Sequence, residues 1–165
     1  MGMETVVMPA SDLDFSLVDY FSRGEFPGDV LNHVESDLVL GLSEYRKRLG
    51  KQVQPSSVVA GWYRQGGRKG SRHYAIERLS DAGDVFPQCD IRDALLVAMG
   101  CDWWGGIGVY LDTNGNDGTP QPMLHLDGRE ERVVWMRYKG RYIYPLRSES
   151  EREEFWKRLS EVSDG

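Results

Sequence analysis

The feature that most constrains the fold is a change of hydrophobic period part-way along the chain. Val30, Leu31, Val34, Leu38, Leu42, Tyr45 and Leu49 recur at helical spacing, and Gly50 supplies a stop. This predicts an amphipathic helix over roughly 30–49, capped by Asp29, with His33 beside its apolar stripe. Ile91, Ala94, Leu95 and Ala98 repeat the pattern over a shorter span between Asp90, a natural N-cap, and Gly100. Beyond Gly100 the pattern becomes that of strands. IGVYL (107–111) and PMLHLD (122–127) read as strands, separated by the polar loop DTNGNDGTPQ. ERVVWMRY and RYIYPL flank Lys139-Gly140, which predicts a β-hairpin over 131–145. Ser150 and Glu153 have capping-box spacing ahead of Phe155, Trp156, Leu159 and Val162, so a terminal helix is expected over about 150–163. Helices first and strands later predict an α+β fold, a small antiparallel sheet with flanking helices.

Two earlier segments complete the reading. QVQPSSVVAGWYR (52–64) is expected to form a strand after Pro55 that ends at Arg64, and QGGRKGSR must be a loop. No repeat or low-complexity segment interrupts the 165 residues, so a single domain over 1–165 is expected, with its core in about 20–145.

Composition narrows the function. The chain is 40% hydrophobic and 28% charged, which suits a folded protein, and its net charge of −6 lacks the basic footprint of a nucleic-acid binder. The two cysteines, Cys89 and Cys101, make no CxxC pair and read as reduced, buried thiols. The first residues lack a basic segment followed by an apolar one, so no signal peptide is expected and synthesis in the cytoplasm is. Met1-Gly2 is followed by Val6 where a myristoylation pattern needs Ser or Thr. No apolar run approaches the ~18 residues of a membrane span, and a monomer without a membrane partner is expected.

The chemistry concentrates around the histidines, of which there are three: His33, His73 and His125. Two histidines and a carboxylate with one open position form a catalytic zinc site, because imidazole nitrogen and carboxylate oxygen bind zinc and the open position holds water. The metal acidifies that water, and a nearby carboxylate can then move its proton. Spacing alone does not pick the set, since there is no HExxH here. The order of features adds to it. VAGWYR, SRH followed by AGD, DALLVAMG, GGIGVY and LHLD run in the order of another pattern: SGYR-like strand end, SxHxxGxAxD, helix, GGxGxY strand and HxD strand.

In this the chain resembles the zinc D-alanyl-D-alanine carboxypeptidase and L-alanyl-D-glutamate endopeptidase family, which shares the hedgehog/DD-peptidase fold. The resemblance covers roughly residues 20–137 and is most specific in GGIGVY, HLD and Trp135. It implies Zn2+ on His73, Asp84 and His125, with Arg64 steadying the substrate or the developing oxyanion. Ser71 and Tyr110 join Arg64 as expected substrate-binding residues.

Two departures from the family pattern bear on the site. Ten residues separate His73 from Asp84 where the motif has six, and Asp81 lies closer to the motif's spacing. The wording Ala82-x-Asp84 favours Asp84, whereas Asp81 suits a turn and Asp90 a helix cap. Many members carry Glu three residues before the last histidine, and here that position is Pro122. Asp127 then becomes the expected catalytic base, since residues two apart on a strand share a face. Asp127 could instead orient a ligand, and Glu77 is a distant alternative base. Gly105, Gly106 and Gly108 allow close backbone approach, either shaping a cleft floor or accommodating Trp103 and Trp104.

The expected function is a zinc peptidase cleaving peptidoglycan stem peptides, in the manner of a phage endolysin that leaves the cytoplasm only at lysis and acts in the host periplasm. The alternative is a binding or virion-associated protein of the same fold without catalysis, which the acidic charge and the two departures favour.

Overall fold

The computed structural model describes residues 7–163. The sequence readings at Met1-Gly2 and Val6 lie outside the described residues. Among these residues three α-helices are present, α1 (Ser36–Leu49), α2 (Ile91–Met99) and α3 (Glu149–Ser163). Six strands form one sheet: β1 (Val53–Pro55), β2 (Ala82–Pro87), β3 (Gly106–Tyr110), β4 (Met123–Asp127), β5 (Val133–Tyr138) and β6 (Arg141–Ile143). Their spatial order is β1-β2-β4-β3-β5-β6. The α+β class is as expected. The sheet is mixed rather than antiparallel, because β3 and β5 run parallel. That pairing joins segments separated by a strand and a loop, so no turn signal announces it.

The helices cover one face of the sheet. Ile107, Val109, Leu124, Leu126, Val134 and Met136 point toward them and are buried, meeting Leu42 and Tyr45 of α1, Leu95 of α2 and Phe155 of α3. Full burial of a Leu such as Leu42 or Leu95 contributes roughly 1.5–3 kcal/mol. The Tyr45 hydroxyl donates to the Ala94 carbonyl at 2.9 Å, which ties α1 to α2. The residues that alternate with these, Asp84, Tyr110, His125, Asp127, Trp135 and Arg137, lie on the opposite face.

Local starts and stops explain where sequence and structure diverge. α1 begins at Ser36, not near 30, and Val30–Asn32 is a single 3-10 turn. The backbone of the intervening residues is recruited elsewhere: Glu35 N–H donates to Ser80, Ser36 N–H to Met8, and Ser80 N–H to His33. His33 therefore leaves the helix and stacks on Tyr63, with ring centroids 4.0 Å apart. Gly50 ends α1 in the left-handed conformation, φ 63°, as its position predicts. Asp90 caps α2 through the amides of Arg92 and Asp93. α3 starts earlier than expected, with the Ser148 hydroxyl rather than Ser150 accepting from a first-turn amide, that of Glu151. The strand expected after Pro55 ends at Pro55, and a 3-10 turn over Val59–Gly61 follows. The hairpin is as read, with Lys139 at φ 49° and Gly140 at φ 75°. Both cysteines are free; Cys101 is buried and Cys89 partly so. Among the described residues no helix is long and apolar enough to cross a membrane.

Candidate metal centre

The centre sits on the polar face of the sheet. Asp84 in β2 and His125 in β4 are directly opposed across an antiparallel pair, so the ladder brings their side chains together. His73 arrives from the irregular segment between Arg64 and β2. Arg64 N–H donates to the His73 carbonyl, and Ala75 N–H returns the bond to Arg64. The Ser80 hydroxyl donates to the Trp62 carbonyl at 2.6 Å, drawing the end of that segment onto the turn before it.

Three atoms converge. His125 Nδ1 lies 2.9 Å from Asp84 Oδ1 and 3.0 Å from His73 Nε2, and His73 Nε2 lies 3.5 Å from the same oxygen. Ligand atoms bound at about 2.0–2.2 Å to a tetrahedral ion stand roughly 3.3–3.6 Å apart, so the two shorter sides of this triangle need only widen slightly for the three to hold an ion. All three residues are buried. The remaining ring nitrogens are occupied in the way metal-binding histidines require. His73 Nδ1–H donates to the Trp62 carbonyl at 3.3 Å, and His125 Nε2 meets Asp127 Oδ2 at 2.9 Å. This donor set fits a metal ion.

The electrostatics without a metal follow from the same contacts. Burial works against charge on His125, yet hydrogen bonds to Asp127 and Asp84 and their negative charge push it up to about 9. Burial also works to raise the Asp84 and Asp127 carboxyls. Hydrogen bonds from His125 and His73 outweigh it at Asp84, and those from His125 and Arg129 outweigh it at Asp127. Both are held well below the usual carboxylate range. The protein therefore presents a compact ion cluster in which a cation is already favoured.

A cleft of about 400 Å³ opens over the cluster. Arg64, Ser71 and Tyr110, the residues expected to bind substrate, line it together with Arg72, Arg129 and Arg137. Arg72 pairs with Asp81, Arg129 with Asp127 and Arg137 with Asp112. Arg64 has no ion-pair partner among the described residues, and its Nε–H is fixed on the Ala60 carbonyl. Burial raises the Tyr110 phenol to about 12, so it enters the cleft as a neutral hydroxyl. The chain matches no known protein family, no curated protein and no solved structure.

The structure separates the candidates that the sequence left open. Asp84 reaches the cluster, whereas Asp81 is taken by Arg72 and Asp90 by the α2 cap. Glu77 does not line the cleft. Asp127 is the main correction. It shares a face with His125 as expected, but its carboxylate lies against His125 Nε2, the nitrogen turned away from the cluster. Oδ1 also accepts from the Arg129 amide at 3.2 Å and from Nε at 2.7 Å, while Oδ2 accepts from Nη2 at 2.6 Å. Its acceptor sites are filled and it is fully buried, so it orients His125 and is not placed as a base. Asp84 is the sole carboxylate among the described residues lining this cleft.

The glycines find their reason here. A Cβ on Gly106 would stand 2.2 Å from the Asp127 carboxylate, and one on Gly108 would stand 2.5 Å from the Trp135 ring. They make room for Asp127 and Trp135, not for Trp103 and Trp104, which pack on Gly41 of α1. Sequence reasoning missed Arg129, Arg137 and Tyr142 at the cleft. The alternation that sets Trp135 on the site face also sets Arg137 there, and the hairpin register pairs Arg137 with Tyr142.

Proposed function

We propose that the chain is a zinc-dependent peptidase of the hedgehog/DD-peptidase type, acting on the stem peptides of peptidoglycan. The observation that carries this reading is the convergence of His73, Asp84 and His125 at the floor of a cleft that also holds Arg64, which has no ion-pair partner among the described residues. Zinc bound there supplies Lewis acidity and activates water for attack on a carbonyl. The chain's own residues do the rest. Trp62 and Asp127 hold the two imidazoles in the orientation that ligation needs. Arg64 offers its free guanidinium edge to a substrate carboxylate or to the oxyanion that develops on the attacked carbonyl. Ser71 and the Tyr110 hydroxyl add neutral hydrogen-bonding groups along the same wall. Stem peptides, with free carboxylates, suit a cleft so rich in arginine. Endolysin-like release to the host periplasm, and action as a monomer, belong to the same proposal.

One observation favours a second reading, a metal-containing binding protein without turnover. With Asp127 sealed behind His125, the cleft offers no carboxylate besides Asp84 among the described residues to move a proton. The two readings part in one experiment: zinc-loaded protein is incubated with purified peptidoglycan and with synthetic stem peptides, and the products are resolved by mass. The peptidase reading expects cleavage that Arg64→Met lowers steeply and zinc removal abolishes. Binding of the same peptides without cleavage would support the second reading.

A further inference from the structure

Arg129 does more than line the cleft. Its backbone amide, Nε and Nη2 all donate to Asp127, so three N–H groups of one residue enclose one carboxylate. Asp127 in turn meets His125 Nε2 at 2.9 Å, and the opposite ring nitrogen of His125 faces Asp84 and His73. The guanidinium also lies over the Trp135 ring, 5.2 Å from its centroid. Trp135 in turn stands 5.3 Å from the His125 ring, centroid to centroid. Arg129 thus touches the two neighbours of that ring that lie outside the ligand triangle, the Asp127 carboxylate at its edge and the Trp135 indole beside it. Gly106 and Gly108 leave room for the two contacts, since a Cβ at either would occupy their space. Gly105 does the same for the Arg129 backbone, whose carbonyl oxygen would lie 1.7 Å from a Cβ there.

We propose that Arg129 is a positioning residue for the metal centre: acting through Asp127 and Trp135, it fixes the His125 ring so that Nδ1 is presented to the ion. This rests on the reading of His73, Asp84 and His125 as metal ligands. It also has a sign that simple electrostatics does not share. Removing a positive charge beside a dication strengthens binding by Coulomb's law. Removing the group that orients a ligand weakens it, by about 10–100-fold for outer partners of metal-bound histidine.

The test measures zinc affinity by competition with a chromophoric chelator, together with the visible absorption of the cobalt-substituted protein. It compares wild type, Arg129→Met, Arg129→Lys and Arg141→Met. Arg141, at the turn end of the hairpin, pairs with Glu154 of α3 and does not line the cleft, so its loss controls for net charge. The expected result is a fall of about 10–100-fold for Arg129→Met, with an altered cobalt spectrum. Arg129→Lys, which keeps the charge and loses the fork, should fall as well, and Arg141→Met should bind as wild type. Thermal melts identify any variant that fails to fold; should Arg129→Met be one, Arg129→Lys carries the test. Unchanged or tighter zinc binding by a folded Arg129 variant would overturn the positioning role while leaving the metal centre intact. A wild type that binds no zinc would overturn the metal centre itself, and the role of Arg129 with it.

Discussion

The candidate metal centre is built in two halves by different means. Asp84 and His125 stand opposite each other on paired strands in the middle of the sheet, where the ladder fixes both backbones. His73 stands in a segment without regular structure, held by a few discrete bonds: its carbonyl to Arg64, its ring to Trp62, and Ser80 to Trp62. The site is therefore rigid in its strand half and adjustable in its loop half. The strand half cannot move without disturbing the core on the other face of the same strands. The loop half can loosen while the sheet stays folded.

The largest effects are expected in the strand half. Gly106→Ala and Gly108→Ala should each lower stability by about 3 kcal/mol, at the upper end for overpacking, because the added Cβ would overlap the Asp127 carboxylate and the Trp135 ring. Urea denaturation checks this, and a loss below the error of the fit would show that the strand half yields more readily than its geometry implies. A smaller effect is expected in the loop half. Ser80→Ala removes a hydroxyl that donates to Trp62 and accepts from the Ala82 amide. It should cost about 1–2 kcal/mol. Amide exchange should quicken around His73 and stay unchanged in β4. Equal quickening in β4 would mean that the halves open as one unit and would break the comparison.

The sequence was uneven in what it disclosed of these halves. The hairpin, the α2 cap and the strand bearing His125 were legible because each carries a local signal: Lys139-Gly140, Asp90, and alternation around Leu124 and Leu126. β2 was not read as a strand. All six of its residues are buried, so it lacks alternation, and it opens with Ala-Gly-Asp. The early residues of the expected first helix were lost to backbone bonds with Ser80 and Met8, which only the tertiary structure supplies. Period two put Asp127 on the face of His125, but not which ring nitrogen it would meet. Arg129, two residues further on, decides that by filling the carboxylate, and nothing local marks it.

A separate effect is expected on pH dependence. In the metal-free protein His125 is raised to about 9, while Asp84 and Asp127 are lowered. The His125 contribution is therefore complete below the unfolded value of ~6.5 and is lost as pH rises through about 9. The aspartate contributions are present above the unfolded value of ~3.9 and are lost as pH falls through their lowered folded values. Melting temperature should accordingly peak between these limits and decline on both sides. Zinc should lift the alkaline side, since the ion takes the place of the proton on His125. A profile that keeps rising above pH 9 without metal would contradict the ion cluster.

The most direct test of the central claim is zinc content after gentle purification and zinc resupply, measured on wild type, His73→Ala, Asp84→Asn, His125→Ala and Asp81→Asn. Stoichiometric zinc is expected in wild type and in Asp81→Asn, and its loss in the other three. A wild type without zinc, or a His125→Ala variant that keeps it, would contradict the assignment of the site.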